Sequence, residues 1–474
     1  MNIKTVHIIF LLLLCFCKAK SQGNYNPFQY GGMPTQMQAP TAPSWQQIHT
    51  QQQQQIQQQN NQQMINMGST PPPTQTQIKA GWQPNNIQQI RMLEIEKILE
   101  EVDTKTSWSK MTSSFSNNQA NFLVQQKAFE GAFQNLNNML SGKQKMSVAN
   151  AYYYLESTLN NDYFSSITEY KTLIKQSADF IKTWMKQHKY SIANKEQVHT
   201  AIQKFMSENL TTTTTTGTVE TGLSVKTVTH APFFYDYNDY EAKIDCRNAF
   251  ATKCWATGGG QCAGMPVVYL SLAEALGVKT YLSYAPYHSF IKYLDNTGKI
   301  QNYEPTSNWK ITDSWYQQNM FISAKAKATG IYLDTLNTQQ IIANCMVDLA
   351  LHYMRTLHDP NDSFVLKCLY RANDFFPKKN NLETYLVMSE YLANKLMNVL
   401  KKHKADKSKI AQIPEALSVF REMVANEDYI KALGYEEMPK GMYDEMLNEH
   451  AMKGKIQIAK GIEGKQKRNL FSKQ

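Results

Sequence analysis

The sequence predicts a multidomain α+β protein, in which a helix packed on an antiparallel sheet lies between all-α regions. Its 474 residues exceed the length of one ordinary domain. Apolar residues recur at helical spacing before residue 210 and after residue 338, which favours helices in both regions. Between them, residues 225–335 combine a glycine-flanked apolar helix with three segments rich in aromatic and β-branched residues, a pattern typical of a small sheet.

Residues 1–21 have the composition of a secretory signal peptide. Lys4 supplies a positive charge, residues 7–17 are apolar, and small residues follow at the expected cleavage position. The apolar stretch is about 11 residues long, short of the ~20 that span a bilayer as a helix, and no later stretch reaches that length. The leucine and phenylalanine before Cys15 and Cys17 argue against lipid attachment there. We therefore expect an exported protein, periplasmic or extracellular, with no membrane span after signal removal.

Composition divides the rest of the amino-terminal half. Residues 22–85 are a low-complexity linker rich in glutamine and proline, which cannot bury enough apolar surface to fold. Residues 86–210 show helical periodicity, beginning with residues 85–102, and predict a helical domain. The threonine run at residues 211–218 breaks this pattern and predicts a mobile loop.

The carboxy-terminal region is predicted to be helical over residues 338–440. The small and large residues near Leu349 and Leu369 have a spacing similar to one tetratricopeptide repeat. Because about three such units are usually needed for an independent solenoid, we expect a few helices packed on the preceding domain. Residues 441–474 are lysine-rich and predict a solvated, disordered basic tail.

Charge and motifs give no case for nucleotide or nucleic-acid binding. Removing residues 1–21 takes away three lysines and no acid, so the formal charge falls from +10 to +7, which is modest for this length. The chain has no zinc-type CxxC pair, no Walker loop, no GxGxxG and no basic stripe interleaved with aromatic residues. No metal or organic cofactor is implied.

Five cysteines remain after signal removal: Cys246, Cys254, Cys262, Cys345 and Cys368. An odd number in an oxidising compartment leaves at least one thiol outside any intramolecular disulfide. If Cys246 pairs with Cys254, Cys262 keeps its thiol; if Cys262 pairs with either of them, it cannot act as a nucleophile. Cys345 and Cys368 form a further candidate pair.

The stretch GGGQC at residues 258–262 stands directly before an apolar run. Pro266 suits a first helical turn and Gly277 a helix end, so a helix is predicted over residues 263–276, with Cys262 at its N-terminal end. Unpaired N–H groups and the helix dipole favour a thiolate at that position. The same N–H groups suit an oxyanion.

A nucleophile needs a base, and the base needs an orienting partner. His288 opens a predicted strand and Glu304 closes the next one. If the hairpin turns at residues 295–298, position 288 lies opposite 304 or 305, and directly opposed Cβ atoms are about 5 Å apart. Glu304 then binds one nitrogen of His288 while the other nitrogen faces Cys262. The alternative interpretations are that His288 is a structural strand histidine whose hydrogen bonds are satisfied, and that Glu304 is a solvated residue at a strand end.

The motifs GQC, PYHSF (286–290) and NYEPT (302–306) together resemble the bacterial transglutaminase-like superfamily, a branch of the papain-like cysteine enzymes. The resemblance covers roughly residues 235–310. It implies a papain-like core and a Cys-His-acid triad for acyl transfer, with Cys262 as nucleophile, His288 as general base and acid, and Glu304 as orienter. A peptide or protein substrate, a thioester intermediate and hydrolysis of peptidase or amidase type, rather than cross-linking, follow from the same resemblance.

Two departures from the family pattern bear on function. The acid is usually aspartate, whereas this chain has Glu304. The papain-like proteases place a glutamine six residues before the cysteine, where this chain has alanine. The oxyanion candidates are therefore the backbone N–H of Cys262 and the side chains of Gln261 and Trp255. The competing interpretation is a catalytically inactive scaffold, whose helical flanks bind protein partners in the cell envelope.

Overall fold

The computed structural model describes residues 119–159, 162–216, 224–242, 244–357, 363–460 and 471–473. The predicted signal peptide with Cys15 and Cys17, the low-complexity linker and the predicted helix at residues 85–102 lie outside the described residues. Those that are described fall within one compact unit. Among them, no helix combines the length and the apolar character needed to cross a bilayer.

Helices form the larger part of the described chain. Before the first strand lie α1 (Gln119–Leu140), α2 (Val148–Glu156), α3 (Ile167–Gln187) and α4 (Lys195–Ser207). The central segment contains α5 (Ala251–Thr257), α6 (Gly264–Leu276), α7 (Asp313–Asn319) and α8 (Ala324–Thr329). The remaining helices are α9 (Thr338–Leu357), α10 (Ser363–Asn373), α11 (Leu382–Lys402), α12 (Pro414–Ala432) and α13 (Lys440–Ala459). Side chains of Ser147, Ser166 and Asn194 cap the helices that follow them by accepting from a backbone N–H.

The strands form three small sheets. They are β1 (Leu210–Thr216), β2 (Ser224–His230), β3 (Phe234–Tyr235), β4 (Gly259–Gly260), β5 (Thr280–Ala285), β6 (His288–Leu294), β7 (Ile300–Tyr303) and β8 (Phe471–Lys473). The orders β1-β2-β8 and β5-β6-β7 are antiparallel, and β3 pairs with β4 in parallel. Helices combined with small, mainly antiparallel sheets give the α+β class that the sequence predicts.

Helix α6 lies at the centre of the molecule. It packs against α2, α3, α4 and α5, and also against strands β5 and β6. Most of its residues are buried, as expected of a helix that is apolar around its whole circumference. Pro266 lies in its first turn, and Gly277 ends it with a φ of 74°, a conformation that glycine adopts without strain. The helix predicted over residues 263–276 is therefore confirmed to within one residue.

The hairpin of β6 and β7 has a different register from the predicted one. Leu294 pairs with Ile300, and the last regular pair is Ile291 with Tyr303. Extended further, this register sets His288 opposite position 306 rather than 304 or 305. The turn contains more residues than the prediction allowed, because Asp295 N–H bonds to the carbonyl of Lys299 and closes a wider loop. Glu304 consequently lies on the diagonal from His288, on the same face of the sheet.

The prediction of a loop at the threonine run was wrong. Residues 210–216 form β1, which pairs along its whole length with β2. The hydroxyls of Thr211 and Thr229 hydrogen-bond at 3.1 Å across the two strands. Threonine is β-branched and suits an extended backbone, but a run of one residue type carries no alternation of polar and apolar positions.

The helices after residue 338 pack as antiparallel neighbours, α9 on α10 and α11 on α12, and α9 also packs on α1. Cys345 in α9 and Cys368 in α10 are fully buried thiols, so the candidate disulfide between them is absent. Burial raises the pKa of the Cys345 thiol well above its usual value, which leaves it a poor nucleophile.

The end of the chain differs most from its prediction. Helix α13 extends over Lys440–Ala459, so residues 441–459, expected within a disordered basic tail, are helical. One face of α13 is buried at a spacing of three or four residues, by Tyr443, Met446, His450, Gly454 and Gln457. This stripe contains polar and small residues, so it carries little of the apolar periodicity on which sequence interpretation depends.

Candidate active site

Cys262 lies between β4 and the first turn of α6, and its side chain is fully buried. Its Sγ lies 4.0 Å from the carbonyl oxygen of Tyr287. The hydroxyl of Ser289 donates a 2.5 Å hydrogen bond to the carbonyl oxygen of Cys262. The residues on either side of His288 therefore both contact Cys262, and they hold the start of β6 against the N-terminal end of α6.

His288 and Glu304 form a fully buried pair. Nε2 of the imidazole hydrogen-bonds to Oε2 of Glu304, and the Tyr316 hydroxyl donates to the same oxygen at 2.9 Å. The hydroxyl and the backbone N–H of Thr306 donate to Oε1 at 2.7 and 3.2 Å. The carboxyl group is thus held by four hydrogen bonds in a place from which water is excluded.

These contacts determine the charge of Glu304. Burial alone would raise the pKa of Glu304, because desolvation disfavours a carboxylate. The charge and hydrogen bond of His288, with the hydrogen bonds from Thr306 and Tyr316, outweigh burial and lower this pKa below its usual value. An ionised carboxylate only accepts hydrogen bonds, so Nε2 of His288 carries the proton of the bond between them.

The structure brings His288 and Glu304 together but leaves the bond to the thiol unmade. Nδ1 of His288 is buried and has no hydrogen-bond partner in the described part of the chain. A buried nitrogen without a partner is rare and calls for an explanation. Here it lies on a residue whose two chain neighbours contact Cys262. Hydrogen bonds of catalytic groups often tighten only when substrate is bound.

The turn before His288 has an unusual backbone. Pro286 and Tyr287 connect the paired residues Ala285 and His288, and Tyr287 has a φ of 56°. Proline followed by a residue with positive φ is the pattern of a type II turn, in which glycine normally takes the second place. A bulky residue there is strained. The Tyr287 ring lies 5.4 Å, centroid to centroid, from that of Tyr443 in α13.

The three oxyanion candidates differ in their surroundings. Both hydrogen bonds of the Gln261 amide nitrogen go to backbone carbonyls, of Asp236 at 3.4 Å and Asp239 at 3.1 Å, so this side chain positions the loop. Nε1 of Trp255 is buried with no hydrogen-bond partner among the described residues. The backbone N–H of Cys262 stands at the start of α6, as predicted.

A buried ion pair stabilises the chain segment that leads to Cys262. Lys253 Nζ lies 2.5 Å from Asp236 Oδ2, and both side chains are inaccessible to solvent. The N–H of Asp236 donates to the carbonyl of Gly260 at 2.8 Å. Through these contacts α5 and β3 hold Gly259 and Gly260, the two residues directly before Gln261.

Helix α13 and the turn before it cover the thiol. Cys262 packs in one apolar cluster with Ala242, Tyr287, Met438, Tyr443 and Met446. In this conformation no substrate carbonyl can reach Sγ.

The other cysteines form no disulfide with Cys262. All five are thiols rather than disulfides, so neither pairing considered for Cys262 occurs. Burial raises the pKa of Cys246 far above its usual value.

Within the described ranges, no group of three or more histidine, cysteine or acidic residues could hold a metal ion.

Comparison with known proteins adds no family to this picture. Neither a family model, nor a curated protein, nor a solved structure matches the chain. The resemblance at the three motifs therefore rests on those residues alone.

Tyr316 and Tyr443 are site residues that the sequence did not indicate. Tyr316 follows Glu304 by 12 positions on a separate helix, and Tyr443 comes from the far end of the chain. Neither lies in a motif, and their contacts arise only from the fold. Thr306 does lie within NYEPT, and a threonine two positions after an acid often hydrogen-bonds locally.

Replacing Tyr316 by phenylalanine is expected to lower the free energy of unfolding by about 1.5–3 kcal/mol at pH 7, the range for hydrogen bonds to charged groups. The change keeps the ring stacked 4.2 Å from that of Phe290. Because the folded pKa of Glu304 is lowered, the stability it contributes is present above its unfolded pKa of about 4.3 and is lost as pH falls through the folded pKa. The difference between variant and wild type should therefore shrink towards low pH.

Urea unfolding at pH 7 and at pH 3 measures this difference. Tyr303→Phe is the matched control, because its hydroxyl donates to the neutral amide of Asn308 at 3.0 Å. Its cost should be smaller and independent of pH. An equal cost for both variants at both pH values would mean that Tyr316 does not stabilise an ionised Glu304.

Proposed function

We propose that this chain is an exported cysteine enzyme of the transglutaminase-like type, built on a papain-like core, which transfers the acyl group of a peptide or protein substrate to water. The observation that carries the proposal is the buried His288–Glu304 pair. Its remaining imidazole nitrogen has no hydrogen-bond partner among the described residues, while both neighbours of His288 contact Cys262. An oriented base beside a thiol at a helix N-terminus is the arrangement that nucleophilic catalysis requires.

The proposed reaction has two steps. Nδ1 of His288 takes the thiol proton, and Sγ of Cys262 attacks an amide or ester carbonyl. The bond from the carbonyl carbon to nitrogen or oxygen breaks, and the leaving group takes the proton from the imidazolium. A thioester remains. Water, deprotonated by His288, then attacks the thioester, which releases a carboxylic acid and returns the thiol.

Glu304 would orient the imidazole and stabilise the imidazolium without itself taking a proton. Its low pKa supports this role, because it stays ionised across the range in which a histidine titrates. The backbone N–H of Cys262 and the indole N–H of Trp255 are the proposed donors to the oxyanion.

A second candidate function is that of an inactive scaffold, with helical flanks that bind protein partners in the cell envelope. The complete burial of Cys262 beneath α13 favours it. The two candidates differ in one respect that can be measured, namely whether Cys262 forms a thioester that turns over.

Incubation of the full-length protein with p-nitrophenyl acetate is expected to place one acetyl group on Cys262. Mass spectrometry should locate it, hydroxylamine should remove it, and nitrophenolate release should continue after the first equivalent. Cys262→Ala should abolish the adduct and the release, and Cys254→Ala, a change at another fully buried thiol, should leave both unchanged. Acetylation of lysines alone, both in the wild type and in a Tyr443→Ala variant that lacks one of the rings packed with Cys262, or release that is equal in the Cys262→Ala variant, would contradict the enzyme and support the scaffold.

A further inference from the structure

We propose that residues 438–459, here called the cap, are an autoinhibitory segment that occupies the substrate groove of Cys262 and must move before the site can act. This inference rests on the proposed function for its biological meaning. The gating itself is a property of the fold that can be measured separately.

The cap covers the thiol with large side chains rather than with backbone. Met438, Tyr443 and Met446 pack in the same cluster as Cys262. The ring of Tyr443 lies against that of Tyr287, whose carbonyl oxygen lies 4.0 Å from Sγ. A substrate carbonyl approaching Cys262 needs the space that these side chains fill.

Hydrogen bonds fasten the cap at a distance from the thiol. Gln457 accepts from the N–H of Tyr237 at 2.8 Å and donates to the carbonyl of Tyr235 at 2.7 Å. Its amide thus pairs with the chain around β3 as a neighbouring strand would. Nearer the thiol, the Tyr240 hydroxyl donates to the carbonyl of Leu447 at 3.0 Å.

Close packing between these two attachments fixes the helix. A Cβ atom at Gly454 would lie 3.1 Å from the carbonyl oxygen of Tyr237, so α13 approaches the backbone more closely than a larger residue allows. The His450 ring lies among those of Tyr235, Tyr237 and Tyr240, at centroid distances of 6.0, 5.6 and 5.1 Å. The cap therefore packs on residues 232–242. This segment contains β3, which pairs with β4 directly before Gln261 and Cys262.

The rest of the site is assembled without the cap. Helix α6 is enclosed by α2 to α5 and by the β5–β6 sheet. The further hydrogen bonds to the His288–Glu304 pair come from the loop after β7 and from α7. Displacement of the cap would thus uncover Cys262 and leave the pair in place. A separate element closed over a preformed site is the usual construction of a lid.

The cap side chains that fill the space over Cys262 also indicate the class of substrate. Outside the cap, the cluster that contains Cys262 includes Ala242 and the ring of Tyr287, and the rings of Tyr240 and Phe321 pack against it. A groove that accepts a tyrosine and two methionines in this conformation should take a peptide that presents aromatic or long apolar side chains beside the reacting carbonyl.

The test is the rate at which iodoacetamide alkylates Cys262 in the full-length protein, with the site of modification located by mass spectrometry. Tyr443→Ala combined with Met446→Ala should raise this rate about a hundredfold or more, because two buried side chains that hold the closed state are truncated. Gln457→Ala should raise it about tenfold or more, because two hydrogen bonds are lost.

The matched control truncates two side chains on the outer face of the same helix. Met452 and Ile456 are 65% and 53% exposed, so Met452→Ala with Ile456→Ala should change the rate by less than about twofold. Cys254, fully buried away from the cap cluster, reports global unfolding and should alkylate at an unchanged rate. If the variant with both Tyr443→Ala and Met446→Ala unfolds, the test depends on Gln457→Ala alone.

Two results would contradict the proposal that the cap controls access to Cys262. One is a rate for Gln457→Ala that does not exceed that of the outer-face control. The other is a rise at Cys254 in step with Cys262, which would make α13 part of the global fold. Adding His288→Ala to the Gln457→Ala variant separates this proposal from the enzyme: if opening still raises alkylation at pH 6 and the histidine makes no difference, the cap stands and the catalytic role fails.

Discussion

Shortening the acid by one methylene, in Glu304→Asp, is expected to cost Cys262 nearly all the reactivity that His288→Ala removes, about a hundredfold in alkylation rate at pH 6. At that pH an ordinary thiol, with a pKa near 8.5, is only about 0.3% ionised. The register places Glu304 on the diagonal from His288, so the carboxylate needs the full length of the glutamate side chain. Aspartate, about 1.5 Å shorter, would leave Nε2 without its acceptor.

The pH profile of alkylation provides the measurement. Both variants should approach the wild-type rate above about pH 9, where any thiol is largely ionised. Glu304→Gln retains the reach and loses the charge, and so separates length from electrostatics. Hydrogen exchange of α13 should be equal in all variants, which shows that the cap opens equally. A rate for Glu304→Asp within about threefold of wild type would refute the need for the longer acid.

Replacing Lys253 by methionine is expected to lower the free energy of unfolding by about 3–5 kcal/mol, the range for a buried ion pair that loses one partner. The Asp236 carboxylate would remain buried without its cation. Because Asp236 also binds Gly260 through its backbone, the change should loosen the chain that leads to Cys262.

Urea unfolding of the single and double variants tests this expectation. Adding Asp236→Asn to Lys253→Met removes the stranded charge and keeps an oxygen for the N–H of Asn238, which binds Asp236 Oδ1 at 3.0 Å. The double variant should therefore be more stable than the single one. A loss below about 1 kcal/mol in the single variant would mean that the pair contributes no more than a surface ion pair does.

The sequence predicted the elements around the site better than their arrangement. Pro266 and Gly277 are strong local signals, and they located α6 almost to the residue. Strand β6 begins and ends as predicted, because aromatic and β-branched residues are concentrated there. Local chemistry decides such elements, so it can be read from neighbouring residues.

What could not be predicted depends on contacts between distant residues. The pairing of β6 with β7 follows the width of one loop, and a single extra turn residue shifts every partner. Tyr316 reaches Glu304 only because of where α7 packs. The inner stripe of α13 has no apolar period, and its partners lie about 200 residues earlier in the chain. Burial of that kind leaves no pattern in the segment itself.

The strained turn at Tyr287 joins the backbone beside His288 to the side chains that cover the thiol. Glycine would adopt the positive φ at that position without the ~1–3 kcal/mol that such a conformation costs a larger residue. It would also remove the ring on which Tyr443 rests. Because that ring is only 8% exposed and the loss of a buried aromatic ring costs about 3–5 kcal/mol, the exchange would lower stability as well as uncover the thiol. Evolution towards a more stable protein would therefore keep the strained residue, and with it the closed site.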